Sequence, residues 1–509
     1  MAEAVGRNII LLSDGTGNSA GKLFKTNVWR IYEALDLSNA SQIASYDDGV
    51  GTSSIKPLAI LGGAVGWGLK RNILSLYIFL CRNYKPGDRI YGFGFSRGAF
   101  TMRVFINFLL SQGLVTDASS SDDLRRKALR LYRKFRIENT VYNYGLHTLA
   151  RPLRDGLVWM RDVIRGQRSE LRNIATRKID EIEFLGLWDT VDAYGLPIAE
   201  LGKGVDQWIW PLSLGDKTLD PRIKKACHAL AIDDKRTTFH PLLWDESEIE
   251  GCSGHTDDER LTQVWFVGAH ANVGGGYPDD ALSYVPLRWM ISEAQKRGVQ
   301  FNQLALDAVD VKVSPYGRIY NSRAGVGAYY RYDPRRLDPP RDRQGACIPN
   351  PKIHETVVWR MAMGTDAYAP LSLPNGVRVV SSARTNGNAG SVNAAARRPN
   401  ILSFEDYRAE VRTEGELYGA PAGKAADEDS RKRAAADFDA LLMPDERTLD
   451  LLWDTVWWRR VSYFLSLIAT AAALLFPWWY AEGGPGNEAI AKGADIVGSF
   501  LPGPAQHWI

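Results

Sequence analysis

The chain has 509 residues, 45% of them hydrophobic and 24% charged, with 62 Lys+Arg against 59 Asp+Glu for a formal net charge of +3. That composition excludes a disordered chain and leaves enough apolar residues for one large, elaborated domain or more. Charge so nearly balanced gives no reason to expect a nucleic-acid partner.

The first part alternates strand and helix patterns. Asn8 to Leu12 reads as a buried strand ending at the polar turn Ser13-Asp14-Gly15-Thr16-Gly17-Asn18. This first apolar run is far shorter than the core of a secretory signal. Asn27 to Leu35 reads as a helix and Gln42 to Tyr46 as a second strand, followed by Gly-rich loops at 47–52 and 62–68. Ile73, Leu76, Tyr77 and Leu80 then fall at i, i+3, i+4 and i+7, one face of a helix. Lys85-Pro86-Gly87-Asp88 is a turn. Arg89 to Gly94 is a strand, and Arg97 to Ser111 is a helix closed by Gly113. Strands return at 182–187, 228–232 and 264–267, and a helix at about 283–296. Strands alternating with helices imply a mainly parallel sheet covered on both faces.

Residues 121–178 interrupt the alternation with 15 Lys and Arg against 6 Asp and Glu, interleaved with Tyr132, Tyr142, Tyr144 and Trp159. The plain reading is a solvated helical insertion packed on the sheet; the sharper one is a cap over the active site that faces anionic head groups. Residues 1–375 therefore read as one catalytic domain carrying this insertion, and 376–443 as an irregular linker. Residues 444–481 read as a helix running from amphipathic to transmembrane, and 482–509 as a short tail. Val461 to Ala481 carries no charge, and about twenty helical residues span roughly 30 Å of hydrocarbon. Trp457 and Trp458 at one end and Trp478, Trp479 and Tyr480 at the other resemble interfacial belts. Arg447, Arg459 and Arg460 against Lys492 would place the large domain in the cytoplasm by the positive-inside rule. Cys81, Cys227, Cys252 and Cys347 form no CxxC pair, which fits reduced thiols. Nothing has metal-ligand spacing, and no cofactor is expected.

The strongest chemical signal is Gly94-Phe95-Ser96-Arg97-Gly98, a G-x-S-x-G between an expected strand and an expected helix. A nucleophilic serine needs a sharp turn that exposes its Oγ, and flanking glycines let strand and helix approach. The helix N-terminus then points N–H groups at a developing oxyanion. A serine hydroxyl also needs a base and an orienting carboxylate, in the order Ser, acid, His for an α/β-hydrolase. Asp189 follows the apolar run Phe184-Leu185-Gly186-Leu187-Trp188, and His270 follows Trp265-Phe266-Val267-Gly268-Ala269. Both stand at strand ends, where parallel sheets present functional groups. Asp233 or Asp234 could supply the acid instead, and His354 the base. The oxyanion donors are expected from the N–H of Arg97 and from Gly15 and Thr16 beyond the first strand. The 62–68 run lacks the G-K-[ST] of a phosphate loop.

Taken together, DGTGNS (14–19), YDDGVGT (46–52), GGAVGWGL (62–69), GFSRGAF (94–100), FLGLWDTV (184–191), HALAIDD (228–234) and FVGAHANVGGGY (266–277) resemble one family. That family is the α/β-hydrolase domain of phospholipase effectors of bacterial type VI secretion. The likeness runs from about 7 to 290, with weaker similarity at 354–374. It implies hydrolysis of glycerophospholipid acyl esters by a triad carried onto Ser96, Asp189 and His270; the anchor and the basic, aromatic insertion favour a lipid or acyl-ester substrate in the bilayer surface, a membrane as partner and a bacterial inner-membrane location. Asn272 departs from the Asp that the family often has there. The C-terminal helix departs from a secreted toxin, although membrane-anchored members without a known substrate also exist. Soluble-ester hydrolysis, or a non-catalytic interaction role on the same scaffold, remain the alternatives.

Overall fold

The computed structural model describes residues 6–15, 23–49, 64–139, 174–192, 217–247, 254–324, 330–337, 346–370, 373–374, 376–381, 400–404, 406–407 and 446–481. The chain divides into two compact units, 1–444 and 445–509.

The first unit is built on a nine-stranded sheet. Strands β1 (Asn8–Ser13), β2 (Gln42–Asp47), β3 (Arg89–Phe95), β6 (Phe184–Trp188), β7 (Ala226–Ala231), β8 (Leu261–Phe266), β9 (Lys352–His354), β10 (Arg378–Val380) and β11 (Ile401–Ser403) lie in the order 11-10-9-8-7-6-3-1-2. Every pairing is parallel except that of β10 with β11. A separate antiparallel pair joins β4 (Leu114–Val115) to β5 (Thr176–Arg177).

Alternation along β1 explains the two covered faces. Ile9 and Leu11 pack with α2 (Ala64–Asn83), α3 (Arg97–Gln112) and α4 (Ser121–Glu138). Ile10 and Leu12 point the other way, towards α1 (Asn27–Ala34), α6 (Tyr284–Lys296) and α7 (Gln303–Asp310). The central strands β1, β3 and β6 are consequently buried along nearly their whole length, as a sheet covered on both faces requires. The stripe Ile73, Leu76, Tyr77 and Leu80 on α2 is wholly buried, and truncating one such leucine to alanine costs about 2–5 kcal/mol. Thr26 caps α1 by accepting from the Trp29 N–H at 3.2 Å. A third cluster, between β9, β10 and α8 (Glu355–Ala362), closes the far edge of the sheet.

Most expected elements stand within two residues of their sequence positions. Two places differ. Helix α2 begins at Ala64, inside the run read as a Gly-rich loop. Strands β10 and β11 fall within the stretch read as a linker, because three-residue strands offer too few positions for a period-two pattern to show. The insertion contributes α4, whose Leu124, Leu131, Tyr132 and Phe135 pack into the core beside α2 and α3. Tyr142, Tyr144, Trp159, Thr16, Cys252 and the tail lie outside the described residues. Cys81, Cys227 and Cys347 are free thiols.

In the second unit, α9 (Glu446–Ala481) is one continuous helix of 36 residues. Among the described residues no helix is long and apolar enough to cross a membrane, so the transmembrane span and anchor expected at 461–481 are not found there. Charged residues such as Arg459 and Arg460 occupy the first half of α9. The hydroxyls of Ser462, Ser466 and Thr470 interrupt the apolar sequence, each donating to the carbonyl four residues earlier.

Candidate active site

The sheet reverses its direction of growth between β1 and β3: the chain leaves β1 through α1 to β2 on one side, then crosses by α2 to β3 on the other. Parallel sheets bind ligands outside the carboxyl ends of the strands at such a switch point. Ser13 at the end of β1 is level with Gly94 on β3, and Phe95 is level with Trp188 on β6. The ends of β1, β3, β6 and β8 therefore present the Asp14 loop, Ser96, Asp189 and the His270 loop on one edge.

Ser96 is the single residue between β3 and α3, with φ 59° and ψ −126°. A non-glycine residue there is strained by about 1–3 kcal/mol. The turn is held by the Ser96 N–H donating to the Trp188 carbonyl at 3.0 Å and the Phe100 N–H donating to the Ser96 carbonyl at 3.2 Å. Gly98 allows α3 to press on the end of β1: a Cβ at this position would lie 2.2 Å from the Ser13 oxygen and 2.4 Å from the Asp14 oxygen.

His270 opens the short helix α5 (His270–Gly274). Asp233 Oδ2 accepts from the Gly268 N–H at 2.6 Å, and Asp234 Oδ2 accepts from the His270 backbone N–H at 3.2 Å. Asn272 accepts from the Ala269 N–H at 3.1 Å and donates to the Arg318 carbonyl at 3.0 Å. Gly274 brings α5 against Phe95, where a Cβ would fall 1.9 Å from the ring. The imidazole is consequently enclosed between the Phe95 ring at 4.7 Å and the Phe239 ring at 5.1 Å.

Ser96, His270 and Asp189 come together from positions up to 174 residues apart in sequence. His270 Nε2 lies 2.8 Å from Ser96 Oγ, and Nδ1 lies 2.5 Å from Asp189 Oδ2. All three side chains are buried, Asp189 completely. Burial pushes the His270 pKa down, against the upward pull of Asp189. Burial alone would raise the Asp189 pKa, but the Arg335 guanidinium, followed by His270, outweighs it and holds the carboxyl below its usual range.

The other candidates take different places. Asp233 and Asp234 fasten the loop that carries His270; Asp234 also binds the Arg236 guanidinium, at 3.0 and 2.7 Å. His354 is buried at the start of α8, where it accepts from the Thr356 N–H at 3.4 Å and stacks on Phe266 at 4.8 Å. Burial pushes its pKa down to about 3. Arg97 is the first residue of α3, so its N–H has no intrahelical acceptor. The Gly15 N–H, in contrast, is taken: it donates to Asp14 Oδ1 at 2.6 Å. Asp14 Oδ2 in turn accepts from Thr26 Oγ1 and from the Tyr46 hydroxyl, each at 2.6 Å. This occupied N–H differs from the donor expected at Gly15.

Sequence reasoning missed Arg335. It lies in Tyr332-Asp333-Pro334-Arg335-Arg336-Leu337, where Arg335 and Leu337 are buried and Arg336 is exposed. That alternation is one of burial and leaves no mark in the sequence, where Arg335 and Arg336 look alike. Among the described residues no cluster of metal-ligating side chains occurs.

A mainly parallel sheet with a serine at a strained strand–helix turn, and an imidazole and carboxylate at neighbouring strand ends, defines the α/β class of hydrolases. The model of the type VI secretion family "Phospholipase effector Tle1-like, catalytic domain" matches residues 7–293. The chain belongs to that family. It is 24% identical to an uncharacterized protein of Saccharomyces cerevisiae, YEL023C, over 62% of this chain, and spans 61% of the yeast protein's length. Among solved structures it is similar to an uncharacterized protein from Pseudomonas aeruginosa, at 17% identity and TM-score 0.34, over 87% of this chain and 63% of the other. It is also similar to the Tle1 effector bound to the VgrG spike of the type 6 secretion system, at 16% identity and TM-score 0.34, over 64% and 78%.

Proposed function

We propose that this chain is a serine hydrolase of acyl esters, with glycerophospholipid as its substrate class. The observation that carries the reading is the unbroken line from Ser96 Oγ through both nitrogens of His270 to Asp189, at 2.8 and 2.5 Å. Ser96 Oγ attacks the ester carbonyl while its proton passes to His270 Nε2. Asp189 holds the proton on Nδ1, leaving Nε2 free to accept, and stabilises the imidazolium that forms. The Arg97 N–H donates to the oxyanion. The Gly15 N–H serves Asp14, and Thr16, the other donor expected beyond β1, lies outside the described residues. Nε2 then protonates the departing alkoxide, and a water deprotonated by the same nitrogen releases the fatty acid and restores Ser96. Each oxyanion donor is worth about 10²–10³ in rate.

Family membership supports a phospholipid over a soluble ester. The exposed Trp457, Trp458, Leu465 and Ile468 on α9 support it too, because aromatic and aliphatic side chains of this kind suit a lipid interface. The test is fatty-acid release from mixed phospholipid vesicles beside turnover of p-nitrophenyl butyrate, for wild type and Ser96→Ala. Release that disappears in the variant supports the proposal. Turnover of the short ester alone moves the substrate to soluble acyl compounds, and silence on both substrates overturns the enzymatic reading.

A further inference from the structure

The most unusual feature behind the proposed triad is a buried guanidinium on its carboxylate. Arg335 Nη1 donates to Asp189 Oδ1 at 2.7 Å and Nη2 to Asp189 Oδ2 at 2.9 Å, a bidentate pair whose members are 1% and 0% exposed. The same guanidinium donates to the carbonyls of Ala231 and Phe239. It thereby ties Asp189 to the end of β7 and to the residue whose ring stands edge-on to His270. Asp189 Oδ2 is thus shared between Arg335 and His270 Nδ1. Asp189 itself has a left-handed φ of 38°, and its Oδ1 also accepts from the Ala231 N–H at 3.1 Å.

We infer that Arg335 is a positioning residue that fixes both the direction and the effective charge of Asp189, and so sets the pH at which His270 becomes a base. This rests on the triad reading above. A guanidinium bound through two donors cancels much of the carboxylate's field at the imidazole and prevents the carboxyl group from rotating. Two other charged groups act on His270, Arg236 lowering its pKa and Asp234 raising it; they are paired with each other at 2.7 Å and oppose one another, and Asp234 meets His270 at the backbone N–H. His228 on β7 bonds Thr190 and Gln263, and burial pushes its pKa down to about 3, so it is neutral in the working range. Removing the Arg335 charge makes the His270–Asp189 pair hold its proton more tightly, whichever of the two carries it. The acid limb of activity then moves to higher pH.

The experiment is the pH dependence of the second-order rate at which a fluorophosphonate probe labels Ser96, in wild type, Arg335→Gln and Arg335→Lys, with folding checked by near-ultraviolet circular dichroism. Arg335→Gln is expected to move the acid limb up by about one unit or more. Arg335→Lys keeps the charge and loses the fork, so its limb stays near that of wild type while the plateau rate falls about tenfold or more. If Arg335→Gln does not fold, Arg335→Lys decides: an unmoved limb with a lowered plateau supports the inference, and an unchanged plateau overturns it. A purely structural arginine would lower the labelled fraction of both variants with every limb in place, which also overturns it. Failure of wild type to label at Ser96 would instead sink the triad reading on which the inference stands.

Discussion

Gly98→Ala tests how closely the nucleophile turn must fit against the loop after β1. The added methyl would sit 2.2 Å from the Ser13 oxygen, 2.4 Å from the Asp14 oxygen and 2.6 Å from the Asp14 carbonyl carbon. All three are backbone atoms, so no side chain can turn aside. Ordinary van der Waals contact begins near 3.4 Å, and the start of α3 must therefore part from the end of β1 by about 1 Å. That shift separates Ser96 and the Arg97 N–H from the Asp14 loop, which Thr26 and Tyr46 hold on the other side. Overpacking of this kind costs about 1–3 kcal/mol of stability. A misplacement of about 1 Å at reacting groups costs about 10² in rate. The expected result is a folded protein, with its melting temperature lowered by several degrees and kcat/KM for p-nitrophenyl butyrate reduced about a hundredfold. Stopped assays beside thermal unfolding check both numbers. Wild-type kcat/KM in a folded Gly98→Ala protein would refute the claim that the spacing of α3 and β1 sets the site.

Asp189→Asn should lower kcat/KM by roughly 10³–10⁴ by stabilising the wrong imidazole tautomer. Asp234→Asn should cost far less, because its carboxylate meets the His270 backbone and Arg236; equal losses in steady-state ester hydrolysis would contradict this division. His354→Ala should lower the melting temperature while leaving kcat per folded molecule unchanged, since His354 caps α8 and packs on Phe266. Burial places the His270 pKa below its ordinary 6.5, and only the neutral imidazole is a base. The kcat/KM profile should therefore rise with an acid limb below pH 6.5; a limb above that value would show the imidazole to be more solvated or more strongly charged than its burial implies.

The parts of the site that could be read from sequence are those encoded locally. Ser96 stands between a strand and a helix that each show their own pattern, and Asp189 and His270 each end an apolar run, so all three could be named before any contact was known. Strand order could not be read, because nothing along the chain says that β3 pairs with β1 on the side away from β2. Arg335 was equally hidden: its partner lies 146 residues away, and a buried arginine has the same sequence appearance as its exposed neighbour Arg336. The direction of the Gly15 N–H depends on a side-chain rotamer of Asp14, which no spacing specifies. Residues 461–481 display a long uncharged run, and this run does form helix.

The measurement that bears most directly on the central claim is covalent: wild type reacted with a fluorophosphonate, digested, and the modified peptide sequenced by mass spectrometry. A single adduct on Ser96, abolished in His270→Ala, is the predicted result. Adduct formation at another serine, or labelling of Ser96 that is indifferent to His270, would contradict the account.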